Sequence, residues 1–150
     1  METLSQSFTK QYCSSSDVSR AVAKDMRSFI TGLGIEGAVI DLVELCTVEV
    51  VNNAYEHAYR YAENSPIGVS CVLDGHNQLV IEITNYGLSM SQEAFNQAIH
   101  NEFIEPDPDV PDSWVTSGRG FIIVAQLVDA IEYLRSGKAN TFKITKRISE

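Results

Sequence analysis

The spacing of apolar residues changes period along this chain, and the change divides it into helical and strand regions. From Ser14 to about Tyr61 apolar residues recur every three or four positions, as one side of a helix requires. Ser14, Ser15, Ser16 and Asp17 offer N-caps for a first helix reaching about Ile30, where Gly32 and Gly34 stop it. A second, longer helix is predicted from about Glu36 to Tyr61, with Ile35, Val39, Leu42, Cys46, Val50, Ala54 and Ala58 in helical spacing. The period then drops to two. Ile67, Val69, Cys71 and Leu73 alternate with small or polar residues, as do Leu79, Ile81 and Ile83, and the hairpin signal Asp74-Gly75-His76-Asn77 lies between them. A short helix over the apolar run Phe121–Val128 precedes another strand pair, around Asp129–Leu134 and Thr141–Ile148. Leu4–Tyr12 alternates weakly and reads as an edge strand. Hairpin-linked strands with helices bunched early predict an α+β fold, an antiparallel-rich sheet with helices on one face.

Length and charge narrow the classes. The 150 residues make one domain, 1–150, with 44% apolar and 21% charged residues. A net charge of −9 excludes the basic footprint that nucleic acids and anionic membranes need. The scattered thiols Cys13, Cys46 and Cys71 have no ligand spacing and suit a reducing compartment. With no signal-peptide core and no apolar run of membrane-spanning length, the expectation is a soluble, cytoplasmic protein. The stretch from about 99 to 117 holds Pro106, Pro108 and Pro111 among five acids, and reads as a functional lid or an inert acidic loop.

Three features carry candidate chemistry. Glu49, Asn53 and His57 fall at i, i+4 and i+8 of the second helix, about 6 Å apart per step, and continue the stripe of Leu42 and Cys46. Inward-pointing polar groups there form either a satisfied buried cluster or the wall of a polar cavity. Ser117-Gly118-Arg119-Gly120 precedes an apolar helix, where backbone N–H groups close around an anion or merely make a turn. It is not the lysine-bearing phosphate loop. Thr84-Asn85-Tyr86-Gly87-Leu88-Ser89-Met90 ends a strand, and Gly87 either lets a flat ligand approach the backbone or simply turns the chain.

In this order the motifs resemble the Bergerat-fold (histidine-kinase-like) ATPases, and within them the RsbW-like anti-sigma factor serine kinases of bacteria. The N box of that family is similar to Glu49-Val50-Val51-Asn52-Asn53-Ala54-Tyr55-Glu56-His57, and its second glycine box to Gly118–Asp129. Asn140-Thr141-Phe142-Lys143-Ile144-Thr145-Lys146 resembles its last strand. The first glycine box departs: the adenine-binding aspartate is Asn85 here, and the second glycine is Ser89.

The resemblance implies a two-layer α/β sandwich with a mixed, mostly antiparallel sheet. It implies an ATP- and Mg²⁺-dependent serine-protein kinase in which Glu49 is the general base and Asn53 holds Mg²⁺. Thr116, Ser117, Gly118, Arg119 and Gly120 would surround the phosphates, with His57 either shaping that end or simply finishing the helix. Asn85, Gly87 and Thr141 would line the adenine pocket under the lid. The implied partners are a STAS-type anti-anti-sigma protein, a sigma factor or other regulator, and a second copy of the chain, with Arg20 a candidate for the partner surface. The rival within the same fold is a regulator-binding module without catalysis, favoured by Asn85 and Ser89.

Overall fold

The computed structural model describes residues 6–100 and 120–148. In chain order they form β1 (Gln6–Cys13), α1 (Val18–Gly32), α2 (Gly37–Asn53), a π-helical turn (Ala54–Ala58), β2 (Pro66–Leu73) and β3 (Gln78–Asn85). There follow α3 (Gln92–Ile99), α4 (Gly120–Leu127), β4 (Ala130–Ser136) and β5 (Ala139–Arg147). The sheet runs β1-β2-β3-β5-β4, so β1 is indeed an edge strand. Every pairing in it is antiparallel, which corrects the expectation of a mixed sheet. The architecture is α+β, a five-stranded open sheet with its helices over one face, as the alternating pattern implied.

Local chemistry explains the connections. In the β2–β3 hairpin, Asp74 Oδ1 accepts from the N–H groups of His76 and Gln78, and Asn77 takes φ 59°, which asparagine tolerates. The β4–β5 hairpin turns on Gly137 at φ 61°. Helix α1 ends where Leu33 and Gly34 donate back to Ile30 and Thr31, with Gly34 left-handed at φ 79°. Helix α3 was not expected from the sequence. It begins at Ser91, whose hydroxyl accepts from the Ala94 N–H at 3.0 Å, and buries Ala94, Phe95 and Ala98.

The core lies between sheet and helices. Leu79, Ile81, Ile83, Phe142 and Ile144 point into it from the central strands, against Val22, Met26, Ile30, Val43 and Val50 from α1 and α2. At the β5–β4 edge an aromatic cluster anchors α3 and α4: Phe121 stacks on Phe142 at 5.1 Å, and Phe95 on Tyr133 at 5.7 Å. Arg27 bonds Asp41 and Glu44 and so ties α1 to α2. Arg20 is exposed and lies 3.8 Å from Asp17. Among the described residues no helix is long and apolar enough to cross a membrane, and all three cysteines are free.

Candidate functional site

At about 100° per residue, the buried residues Ile40, Val43, Cys46, Thr47, Val50, Val51 and Ala54 cover one broad side of α2. Glu49 and Asn53, one turn apart, stand on the flank of that side rather than at its centre. Asn53 is 9% exposed and Glu49 is half-buried. Neither side chain has a hydrogen-bond or ion-pair partner among the described residues. Among the described residues the buried side-chain atom without a hydrogen-bond partner is Thr47 Oγ1 on the same helix, so the Asn53 amide keeps some access to solvent. Two oxygen-bearing side chains thus stand one turn apart with no hydrogen-bond or ion-pair partner among the described residues.

Immediately after Asn53 the helix widens. Tyr59 N–H donates five residues back to the Ala54 carbonyl at 2.9 Å, so the regular spacing that would carry His57 along the Glu49–Asn53 line is broken. His57 is half-buried, and burial pushes its pKa below the usual 6.5, partly opposed by Glu56. The chain then reverses through Arg60 and Tyr61 at φ 53° and 66°. That left-handed pair is braced by the Tyr61 N–H on the Tyr55 carbonyl at 2.8 Å and the Tyr55 hydroxyl on Glu63 at 2.6 Å.

The loop leaving β3 packs directly on this widened turn. Leu88 N–H donates to the Ala58 carbonyl at 2.8 Å, and Tyr86 N–H to the Tyr59 hydroxyl at 2.9 Å. A methyl group on Gly87 would stand 2.6 Å from the Ala58 carbonyl carbon and 2.9 Å from the Tyr59 ring. Gly87 is thus required for close approach of chain to chain.

Asn85, 2% exposed, closes β3 directly opposite Asn140 of β5. Asn85 Oδ1 accepts from Gly87 N–H and from Asn140 Nδ2, both at 3.0 Å. Asn140 Nδ2 also donates to the Gly87 carbonyl at 3.1 Å. Asn140 Oδ1 accepts from the Ser89 hydroxyl at 2.8 Å and the Tyr133 hydroxyl at 3.3 Å, while Tyr133 oxygen accepts from Met90 N–H at 3.0 Å. The network staples the loop from Asn85 to Met90 onto β4 and β5.

Thr141 is elsewhere. Strand alternation puts it on the open face of the sheet, where its hydroxyl meets that of Thr84 at 2.8 Å. It does not share a face with Asn85, with which the resemblance grouped it, and Asn140 is the residue buried beside Asn85. A groove lined by Thr9, Gln11, Ser70, Glu82, Thr84 and Tyr86 also lies on the open face, across the sheet from Asn53 and Asn85. Gly120 is the first residue of α4, which packs on α2 and α3. Thr116, Ser117, Gly118 and Arg119, and the lid apart from its first two residues, lie outside the described residues.

A family model described as the histidine kinase-like ATPase domain matches residues 15–146. The chain belongs to that family. Its fold is similar to that of the RsbU and RsbW domains of Rv1364c from Mycobacterium tuberculosis, with a TM-score of 0.68 and 18% identity. That likeness covers 97% of this chain and 33% of the other, so the chain spans about a third of its length. The fold is also similar to the SiaB-SiaC complex from Pseudomonas aeruginosa, with a TM-score of 0.62 and 13% identity over 93% of this chain and 88% of that one. No curated protein matches the chain.

Within this histidine kinase-like ATPase domain the residues that sequence reasoning missed are Asn140 and Tyr133. The signal for Asn140 was present: Asn140, Phe142 and Ile144 share one parity, and the apolar members of that parity must face the core. Nothing in the local sequence marks Tyr133, whose hydroxyl becomes meaningful only through the β4–β5 register.

Proposed function

We propose that this histidine kinase-like ATPase domain is a partner-switching anti-sigma factor kinase, which binds Mg-ATP and phosphorylates a serine on a small STAS-type anti-anti-sigma protein. The observation that carries the reading is the Glu49–Asn53 pair: a carboxylate and a nearly buried carboxamide, one turn apart, with no hydrogen-bond or ion-pair partner among the described residues. The naming of an RsbW domain in one similar structure, and of a complex between two proteins in the other, supports the same reading.

The donor set fits the cofactor. Asn53 Oδ1 is a hard oxygen ligand, and Mg²⁺ takes one or two such ligands with phosphate oxygens and water completing its shell. When bound, Mg²⁺ supplies charge neutralisation between the β- and γ-phosphates. Glu49 accepts the seryl proton as the serine oxygen bonds to the γ-phosphorus. The bond from that phosphorus to the β,γ-bridging oxygen breaks, and ADP leaves with the electron pair. The N-terminus of α4 at Gly120, with Thr116, Ser117, Gly118 and Arg119 preceding it in sequence, would supply the backbone N–H groups for the phosphates. His57, neutral at pH 7, shapes that end, while Asn85, held by Asn140, lies at the base end. In the circuit, the unphosphorylated partner releases a sigma factor or other regulator from a cytoplasmic kinase dimer, and phosphorylation reverses the exchange.

Labelled ATP and a STAS partner test this directly. Transfer of label to the partner is expected, with Glu49→Gln slowing it at least about 100-fold while the complex still forms. Unchanged transfer by that variant removes Glu49 from the role of base. Complex formation without any transfer supports the second reading, a non-catalytic binding module, which the commitment of the Asn85 oxygen to Gly87 and Asn140 favours.

A further inference from the structure

The amide orientation of Asn85 is fixed by its neighbours rather than free to flip. Tyr133 oxygen accepts from Met90 N–H, so its proton is available to Asn140. The opposite arm of Asn140 meets the Gly87 carbonyl, which can only accept. Asn140 must therefore turn its NH₂ toward Gly87 and Asn85. The Asn85 atom facing that NH₂ must be oxygen, and the Gly87 N–H makes the same demand independently. Both lone pairs of Asn85 Oδ1 are then used. What remains is Nδ2, on a residue 2% exposed, with no partner among the described residues.

We infer that this Nδ2 makes the base end of the site a hydrogen-bond donor, and that the site selects a 6-oxo purine nucleotide over an adenine nucleotide. The inference rests on the proposed reading that Asn85 lies at the base end. An aspartate in the same cradle would spend one oxygen on Gly87 and Asn140 and offer its second oxygen to an exocyclic amino group. Asn85 replaces that second oxygen by an N–H donor. Adenine brings an amino group to this edge, donor against donor. Hypoxanthine and guanine bring a carbonyl oxygen, which the amide satisfies. Polar mismatch of this kind discriminates sharply because a buried donor is left unpaired with the wrong base.

Calorimetric titration of the full chain with Mg-ATP and Mg-ITP isolates the 6-position edge of the purine, and Mg-GTP serves as a second 6-oxo probe. Wild type is expected to bind ITP and GTP roughly tenfold more tightly than ATP, as one buried hydrogen bond gained or lost dictates. Asn85→Asp keeps an acceptor for Gly87 and Asn140, and is expected to reverse the preference. Tighter or equal binding of ATP by wild type overturns the inference, as does a preference that Asn85→Asp leaves unchanged. Binding of ATP alone sinks the base preference and spares the kinase reading. Binding of none of the three sinks both.

Discussion

The flank of α2 around Asn53 and the end of β3 around Asn85 treat the same side chain in opposite ways. Both asparagines are nearly buried, at 9% and 2% exposure, and both sit where an element ends. Asn85 is knitted to Gly87 and Asn140, and through Asn140 to Ser89 and Tyr133. Asn53 and its neighbour Glu49 bond to no described residue. The difference separates architecture from readiness. A buried amide with its acceptor spent fixes the local chain, whereas an amide left unspent stabilises the protein only when something polar arrives.

That contrast predicts where mutation hurts. The largest effect is expected at Asn140. Asn140→Ala strips partners from Asn85, Ser89, Tyr133 and the Gly87 carbonyl together, and should lower unfolding free energy by about 3 kcal/mol in urea titration. A loss under about 1 kcal/mol would mean the staple is not structural. Next comes Gly87→Ala, which drives a methyl into the Ala58 carbonyl and the Tyr59 ring. About 2 kcal/mol is expected from the same titration, and wild-type stability would show that the turn after α2 can move aside.

The smallest effect on stability concerns His57. Because burial lowers its pKa in the folded protein, the unfolded chain takes up a proton first as pH falls. Its contribution is full above about pH 6.5, the ordinary histidine value, and is lost as pH falls from there through the lowered folded value. Wild type should therefore lose stability on acidification from pH 7.5 to 5.5 more steeply than His57→Gln. Parallel pH curves would place His57 in water.

The sequence made the sheet readable because alternation and hairpin signals act over a few residues: Asp74–Asn77 and the Ile67–Leu73 and Leu79–Ile83 stripes all appear as strands and turn. Long-range register was harder. Whether Asn140 or Thr141 faces inward depends on one residue of parity set by the Ser136–Ala139 turn, and a single step exchanges the faces. The π-helical turn was invisible because Ala54 and Ala58 keep ordinary helical spacing although the backbone between them does not. Gly87 was noticed as a point of close approach, but the contact that excludes a Cβ comes from Ala58, 29 positions earlier, which no local pattern announces. Helix α3 could have been found, since Ser91, Glu93 and the Ala94–Phe95–Ala98 face form a capped amphipathic turn.

The most direct test of the contrast is the melting temperature of Asn53→Ala with and without Mg-ATP or Mg-ITP. An unspent ligand group predicts a variant that melts with wild type when no nucleotide is present, yet loses the rise that a binding triphosphate gives wild type, about 2.7 kcal/mol at a hundredfold excess over Kd. A variant that still rises with nucleotide, or one that melts far below wild type without it, would contradict the account.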